Sequence, residues 1–368
     1  MKSKMKLNAI GLFKLFFVCL SLSLLTGCAG TSQQKQIVHS KKSPLPFYYD
    51  ALQNIEYGEY QTALTNLDSA IYYKPEFATF YELKGWVLEQ LNNPDSAIVT
   101  YEKSLKYRSS YPRVWMRLGE LYLNGDQFDK STYYFRKAVQ RYPDSVRLHL
   151  KLGEAYYSMG RYHLAQDYLH TYRKLASHPD TLFWKWQGFT YYKLDQYKAA
   201  IQSLENYVNL VSNDGTALKI LGLAKYADGD YHNAVTYLNS AAKYLEDDSE
   251  IYLYRARYFL RFDKPEIARE QLHIGLRKDS SNVEVLVELG RLSYLDQRYE
   301  EAKNYFLKVK ELNPTFWKVY RYLGFLAEKD KNLGQAREYY KIYLDHIYEE
   351  DAEVSKRMEA IILELKDQ

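Results

Sequence analysis

Apolar segments and polar turns alternate along most of the chain, and this pattern predicts short helices. From Pro44 onward, stretches rich in Tyr, Leu and Ala are separated by turn-forming sequences such as "YGEY" at 57–60, "NGDQ" at 124–127 and "DGDY" at 228–231. Gly permits the backbone to turn, while Asp and Asn favour turns over helix interiors. We therefore expect an all-helical region that begins near residue 44.

Small residues recur within these apolar segments at a fixed interval. A small residue on one predicted helix is followed twelve positions later by another, and successive pairs lie 34 residues apart, with one step of 35 around Asp180. Two helices approach closely only where no large side chain stands between them, which requires Gly, Ala or Ser at the contact. The nine pairs are Ala51 with Ala63, Gly85 with Ala97, Gly119 with Ser131, Gly153 with Ala165, Gly188 with Ala200, Gly222 with Ala234, Ala256 with Ala268, Gly290 with Ala302 and Gly324 with Ala336. We expect stacked helix pairs across residues 44–350, because one pair cannot bury its apolar face alone.

The unit at 112–145, "PRVWMRLGELYLNGDQFDKSTYYFRKAVQRYPDS", resembles the tetratricopeptide repeat. The spacing typical of that family is matched by Trp115, Leu118, Gly119, Tyr122, Phe135, Ala138 and Pro143. Ser131 stands where the family prefers Ala. The resemblance implies an all-α fold, a right-handed α-solenoid of about nine helix pairs whose first helices line a concave groove.

A last helix is predicted at 351–368, after the repeats. Its apolar side chains, which follow three-to-four spacing, are Val354, Met358, Ile361, Ile362 and Leu365. Its other positions carry charges of both signs, which disfavours a membrane-surface helix. We expect this helix to cap the array.

The first 27 residues resemble a bacterial lipoprotein signal peptide. Four lysines are followed by eleven uncharged residues at 15–25, and "LTGC" at 25–28 resembles a lipobox. The resemblance implies cleavage before Cys28 and acylation of that residue, with palmitate among the acyl chains. Residues 28–43 then form a flexible tether, and Ala29 in place of Asp favours the outer membrane, facing the periplasm. The alternative is an ordinary secretory signal that is cut near Ala29.

Removal of this segment changes the net charge of the chain, and with it the inference about partners. The whole chain has 50 basic and 46 acidic side chains, and four of the basic ones lie in residues 1–27 with no acidic one. The remaining chain is neutral, so its charge gives no support for nucleic-acid binding. Of two cysteines, Cys19 would be discarded and Cys28 acylated, which excludes an intramolecular disulfide.

No pattern in the sequence indicates catalysis, a metal or a cofactor. There is no phosphate-binding loop, dinucleotide turn or nucleophile elbow. His163 and His170 are seven apart, but two His without a Cys or a placed carboxylate make a poor metal site. The 39 tyrosines are most simply core or near-core rings whose hydroxyl groups reach water. We therefore expect a protein that is not an enzyme.

The family resemblance implies partner contacts at three kinds of position on each first helix. They lie three residues before the small residue, one residue after it, and four to five residues after it. The candidate groove residues at these positions are Trp86, Glu120, Lys185, Phe189, Tyr192, Lys193, Lys219, Tyr226, Arg257, Arg261, Arg291, Tyr294, Arg321, Phe325 and Lys329. The face is acidic at first and basic later, and Arg257 and Arg261 are placed to bind one carboxylate. Alternatively, these charges pair with Asp and Glu of adjacent repeats and only solvate the face.

The function that fits these features is a lipid-anchored scaffold or adaptor. Its partners would be envelope proteins or extended peptide segments bound in the groove, and its role would be assembly of a cell-envelope, secretion or pilus complex. An alternative is an accessory protein for polysaccharide export or binding, in which Trp86, Trp184 and Trp186 stack on sugars.

Overall fold

A computed structural model describes residues 43–347 and 351–365, and within these ranges every regular element is an α-helix. The all-α prediction is thus confirmed for the described residues. The predicted signal peptide, Cys28 and nearly all of the tether lie outside them. The helices are α1 (Leu45–Tyr57), α2 (Tyr60–Tyr73), α3 (Ala78–Gln90), α4 (Pro94–Tyr107), α5 (Pro112–Asn124), α6 (Phe128–Arg141), α7 (Val146–Ser158), α8 (Tyr162–Leu175), α9 (Thr181–Lys193), α10 (Tyr197–Val208), α11 (Gly215–Ala227), α12 (Tyr231–Ala241), α13 (Ser249–Arg261), α14 (Pro265–Lys278), α15 (Val283–Leu295), α16 (Tyr299–Leu312), α17 (Lys318–Lys329), α18 (Leu333–Leu344) and α19 (Ala352–Glu364).

The helices divide into two compact units, one that ends at Gly160 and one that begins at Arg161. The first unit holds three helix pairs, from α1/α2 to α5/α6, followed by α7. The second unit begins with α8, continues with five pairs from α9/α10 to α17/α18, and ends with α19. Odd-numbered helices up to α17 are the first helices of their repeats, and even-numbered helices are the second helices.

The turn inside each repeat contains one residue with left-handed backbone. These residues are Gly58, Asn92, Asp126, Gly160, Asp195, Gly229, Asp263, Gln297 and Lys331, with φ between 54° and 91°. Only three of the nine are glycine, and in "NGDQ" the left-handed residue is Asp126 (φ 56°), whereas Gly125 has φ −98°. Asn and Asp tolerate this conformation better than other non-glycine residues. The turn is therefore set by position in the repeat and does not depend on glycine.

Glycines predicted at the helix contacts lie under a large side chain sixteen residues later on the second helix. A Cβ added to Gly119 would lie 2.6 Å from the Phe135 ring, and one added to Gly290 would lie 2.5 Å from the Phe306 ring. Both distances are far below van der Waals contact, so a larger residue would require the two helices to separate or the ring to turn. The same arrangement holds at Gly85, Gly188, Gly222 and Gly324. The small partner residues on the second helices of these and the other predicted pairs are fully buried, namely Ala63, Ala97, Ala165, Ala200, Ala234, Ala268, Ala302 and Ala336.

The predicted pair of Gly153 and Ala165 differs from the others because the unit boundary falls between its members. Gly153 lies on α7, the last helix of the first unit, whereas Ala165 lies on α8, the first helix of the second unit. Both residues are buried, as a packing role requires. The contact between Gly153 and Ala165 stays a prediction.

Ser131, which stands where the family prefers Ala, has a polar group that must be satisfied inside the helix contact. Its buried hydroxyl group donates a hydrogen bond of 2.8 Å to the carbonyl oxygen of Gly119 across the helix contact. A small polar residue is tolerated here because its one polar group is satisfied within the pair.

The last helix, α19, covers the apolar end of α17 and α18, as predicted for a cap. Val354 and Ile361 are buried in one cluster with Phe325, Tyr340 and Tyr343, and Met358 packs against the cluster edge. Across the described residues, no helix is both long enough and apolar enough to cross a membrane.

Candidate functional site

The predicted groove residues all lie on first helices, and we call the side of each first helix that carries them the first-helix face. In the second unit, cations in the early turns of a first helix bind carboxylates at the start of the next first helix. Lys185 Nζ lies 2.7 Å from Asp214 Oδ2. Lys219 Nζ lies 2.7 Å from Asp248 Oδ2 and 3.0 Å from Glu250 Oε2.

Two arginines continue this series of interhelical ion pairs. Arg257 lies 2.9 Å from Glu284 and 3.4 Å from Glu288. Arg321 lies 3.2 Å from Asp351 and 2.8 Å from Glu353, which joins α17 to the cap. The predicted pairing of charges between neighbouring repeats is therefore present at these positions.

The aspartates in this series serve two helices at once. Asp214 accepts a hydrogen bond from the amide of Ala217, which caps α11, and it also binds Lys185 and the hydroxyl group of Tyr207. Burial by itself would raise the pKa of Asp214, but these three donors hold it below its usual value. The carboxylate is thus ionised at neutral pH and fixes the position of Lys185.

The acidic positions of the first unit are paired in the same way. Glu120 binds Arg147 of the next first helix and lies 3.6 Å from Arg117. Trp86 packs edge-on against Tyr60, with ring centroids 6.0 Å apart. The predicted acidic character of the early repeats is therefore largely neutralised within the chain.

A cluster of tyrosines and arginines on α11 to α13 is arranged differently. The Tyr226 ring lies edge-to-face with Tyr231 at 5.0 Å and with Tyr254 at 5.1 Å. The Arg261 guanidinium group lies 4.2 Å from the Tyr231 centroid, and that of Arg257 lies 5.1 Å from the Tyr254 centroid. We call these five residues the Tyr226 cluster.

A second cluster on α15 to α17 repeats this geometry 68 residues later in the sequence. Tyr294 lies edge-to-face with Tyr299 at 5.6 Å and with Tyr322 at 6.4 Å. Lys329 Nζ lies 5.5 Å from the Tyr299 centroid, and Phe325 replaces the second arginine. We call these five residues the Tyr294 cluster.

In the second unit, the cations that lie five residues after the small residue differ from the paired cations described above. The occupants of this position are Lys193, Ala227, Arg261, Leu295 and Lys329, all exposed, and they alternate between a cation and an apolar residue. Each cation lies over a tyrosine ring and has no carboxylate partner among the described residues. We call this set the +5 row.

The remaining predicted residues divide between exposed and buried positions. Tyr192 is half-buried beneath Lys193, and Arg291 binds Glu288 of its own helix at 3.0 Å. Phe189 is 4% exposed and Phe325 is 9% exposed, so both mainly support their neighbours.

The geometry of the Tyr226 cluster suits an acidic, partly apolar ligand. A ring face attracts a cation without using its N–H donors, so Arg261 keeps the planar fork that binds a carboxylate. Burial raises the pKa of Tyr226, although Arg257 and Arg261 oppose this. Its hydroxyl group is therefore neutral, and its half-buried ring offers apolar contact beside the cation.

Sequence reasoning missed two features of this site. Tyr254 and Tyr322 lie two residues before the small residue, outside the three kinds of position that the family resemblance implies, and their 68-residue separation is the sequence signal that identifies them. Pairing of charges between repeats was the stated alternative, but the particular carboxylates that bind Lys185 and Arg257 were not identified; Asp214, an N-cap one repeat later, is the sequence signal for one of them. Among the described residues, no group of three or more His, Cys, Asp or Glu is placed to hold a metal ion.

Comparison with known proteins gives a consistent family assignment. A tetratricopeptide-repeat family model matches residues 56–106, 90–146, 150–215 and 255–315, which together make up more than half of the chain. A TPR repeat-containing protein of Methanocaldococcus jannaschii is 27% identical over 206 residues, covering 53% of this chain and 36% of that protein. The type IV pilus assembly protein PilF of Pseudomonas aeruginosa is 27% identical over 149 residues, covering 40% of this chain and 56% of PilF. The chain thus spans only part of the relatives it matches.

Part of the chain also aligns with a solved structure. The C-terminal part of a TPR repeat-containing protein from Cytophaga hutchinsonii aligns with a TM-score of 0.47 at 15% identity, covering 64% of this chain and 96% of that one.

Proposed function

Because the chain belongs to the tetratricopeptide repeat family, we propose that it is a non-enzymatic scaffold that binds other envelope proteins on the first-helix face of its second unit. The bound element is an extended segment that carries carboxylates and apolar side chains. An acylated Cys28 anchors the scaffold at the outer membrane, facing the periplasm. There it assists assembly of an envelope, secretion or pilus complex.

The observation that carries this proposal is the +5 row. Arg261 and Lys329 are exposed, lie on tyrosine rings and lack a carboxylate partner in the described part of the chain, while Leu295 between them is 70% exposed. Charged side chains held on rings lose less rotamer freedom on binding than free ones do. An unpaired cation beside an exposed apolar residue is a binding element that folding of the chain does not use.

The paired cations support the same assignment by contrast. Lys219 and Arg257 are held by carboxylates of the next repeat, so a ligand would have to displace an existing ion pair to reach them. Their role is to join first helices. The face thus separates residues that hold the stack together from residues that are available to a partner.

The pilus-related part of the proposal is supported by a relative. PilF is named as a type IV pilus assembly protein, and its similarity extends over 149 residues. That name applies to PilF. For this chain, assembly of an envelope complex is our proposal.

The proposal is tested by photo-crosslinking in intact cells. Leu295→benzoylphenylalanine puts the crosslinker between Arg261 and Lys329 on the +5 row. We expect specific proteins to be captured, and Arg261→Glu with Lys329→Glu to lower their yield at least tenfold, because two attractions worth about 1 kcal/mol each become repulsions.

The matched control reverses Arg277 and Lys341 to Glu. Both are exposed, lie on second helices and have no carboxylate partner among the described residues. Equal loss in the control, or unchanged capture after reversal of the +5 cations, contradicts the assignment of this face. Capture that disappears after polysaccharide digestion instead would favour the alternative role in polysaccharide binding.

A further inference from the structure

An aromatic surface at the start of the first unit is used by none of the contacts above. It consists of Leu45, Tyr49, Tyr72, Tyr73 and Phe77, whose exposed fractions are 51%, 54%, 80%, 37% and 39%. These residues come from the first turns of α1, the last turn of α2 and the connection that follows. We call this surface the amino-terminal aromatic patch.

Ring contacts support part of the patch from below. Phe47 of α1 stacks on Tyr73 of α2 at 5.4 Å, and Tyr73 contacts Tyr72 edge-to-face at 5.3 Å. Phe77 packs on the buried Phe80 at 4.7 Å. Rings held in this way have little rotamer freedom left to lose, so the patch is presented to an external surface at low entropic cost.

Several exposed aromatic and apolar side chains at one end of a helix pair mark a contact with a partner or a membrane. The position of the patch in the chain favours the membrane. Leu45 lies two residues after Ser43, where the described structure begins, and Cys28 lies fifteen residues before Ser43. Even when fully extended, fifteen residues reach at most about 50 Å. The first helices that follow the anchor in the chain are therefore the ones that carry the patch.

The charges around the patch indicate which lipid headgroups it would contact. Lys74 Nζ lies 4.7 Å from the Phe77 centroid, while Asp50 and Glu76 are exposed close by in sequence. Among the described residues close to the patch, Lys74 is outnumbered by Asp50 and Glu76, so these residues provide no excess of positive charge to attract anionic lipids. Tyrosine rings with a polar tip instead suit the interface of zwitterionic lipids, where one end of the ring is wet and the other is not.

We propose that the amino-terminal aromatic patch rests in the headgroup region of the membrane to which Cys28 is anchored, with zwitterionic phospholipid as its ligand. This inference rests on the lipid anchor of the proposed function. The patch adds a second membrane contact, which orients the first unit and limits its rotation about the tether.

The test uses the full chain, purified from membranes and reconstituted into phosphatidylcholine vesicles that contain an alkyne-tagged phosphatidylcholine. Tyr72→benzoylphenylalanine places a photo-crosslinker on the patch. Tyr133→benzoylphenylalanine is the matched control, because Tyr133 is a 52% exposed tyrosine on α6 of the same unit. We expect lipid labelling at position 72 to exceed that at position 133 at least fivefold, with little change between low and high salt.

Three results overturn the inference. Equal labelling at the two positions, with the protein still floating with the vesicles, refutes the patch but leaves the anchor intact. Crosslinking of position 72 to a second copy of the chain, in place of lipid, identifies the patch as a self-association surface. A chain that does not float with the vesicles refutes the anchor and, with it, the argument for the membrane as occupant.

Discussion

The contact between Gly290 and Phe306 allows a quantitative test of how the repeats are packed. In Gly290→Ala the new Cβ would lie 2.5 Å from Phe306 Cε1, 2.8 Å from Cζ and 2.9 Å from Cδ1. Carbon atoms prefer about 3.5–4.0 Å, so α15 and α16 must separate by roughly 1 Å or the fully buried ring must turn. Overpacking of this kind costs about 1–3 kcal/mol, and the better helix propensity of Ala returns about 1 kcal/mol. We expect a net loss of about 1 kcal/mol.

A second substitution provides the compensating partner. Where the first-helix residue is Ala, as at Ala256, the residue sixteen positions later is Leu272, whereas the aromatic Phe306 faces glycine. Phe306→Leu alone should cost about 1 kcal/mol through lost buried volume. Combined with Gly290→Ala it recreates the pair of Ala256 and Leu272, so the double variant should be more stable than the sum of the single effects by about 1 kcal/mol.

Urea denaturation followed by far-ultraviolet circular dichroism measures these differences. Hydrogen exchange of the amides in α15 and α16 shows whether the loss is local. Gly334→Ala is the control for helix propensity, because its added Cβ would have only one atom nearby, at 4.0 Å, and it should be neutral or stabilising. If Gly290→Ala behaves like Gly334→Ala, or the double variant is merely additive, close approach does not explain the glycine.

Four further expectations follow from contacts or sequence features described above. Asp214 has a lowered pKa in the folded chain, so its stabilisation is present above the unfolded value of about 3.9 and is lost as pH falls through the folded value; the difference in urea midpoint between wild type and Asp214→Asn should shrink below about pH 4, and a constant difference would contradict this. Gly229→Ala should lower stability by about 1 kcal/mol through its φ of 91° alone, since nothing lies within 4 Å of the added Cβ; an unchanged melting temperature would remove the left-handed turn as the cause. Arg257→Glu should lower the melting temperature because it faces two glutamates, whereas Arg261→Glu should lower it less, because it loses only a ring contact and a favourable helix-dipole interaction; equal effects would show that pairing does not separate the two arginines. Cys28→Ser should abolish incorporation of a fatty-acid probe, and continued labelling would refute the lipobox.

The fold was predictable because its period is set by small residues at the helix contacts, where a larger side chain does not fit. Gly85, Gly119 and Gly290 each lie under a ring, so the 34-residue interval in the sequence is the interval of a physical contact. The positions of the turns were predictable, but the residue types at their left-handed positions were not. The left-handed conformation at Gln297 and Lys331 is imposed by the helices on either side, and no local sequence signal requires it.

The candidate site was less predictable, because pairing depends on neighbours that are distant in sequence. Arg257 and Arg261 look equivalent in the sequence, four residues apart on one helix. In the structure, Glu284 and Glu288 of the next first helix hold Arg257, while Arg261 lies on the Tyr231 ring. Which cation is paired is decided across a gap of about thirty residues, which helical periodicity within one segment does not report.

The division between paired and free cations has a physical origin in the direction of the helices. Two chain reversals separate successive first helices, so neighbouring first helices run the same way, and the N-cap of one lies beside the early turns of the one before it. A cation in those early turns, such as Lys185, meets the capping Asp214. Lys193, Arg261 and Lys329 are the last residues of α9, α13 and α17, beyond the reach of that cap. There the helix dipole favours a positive charge without supplying a carboxylate. The C-terminal ends of α9, α13 and α17 thus each stabilise a cation that has no carboxylate partner among the described residues, and this is why we propose these ends as the place where an acidic partner binds.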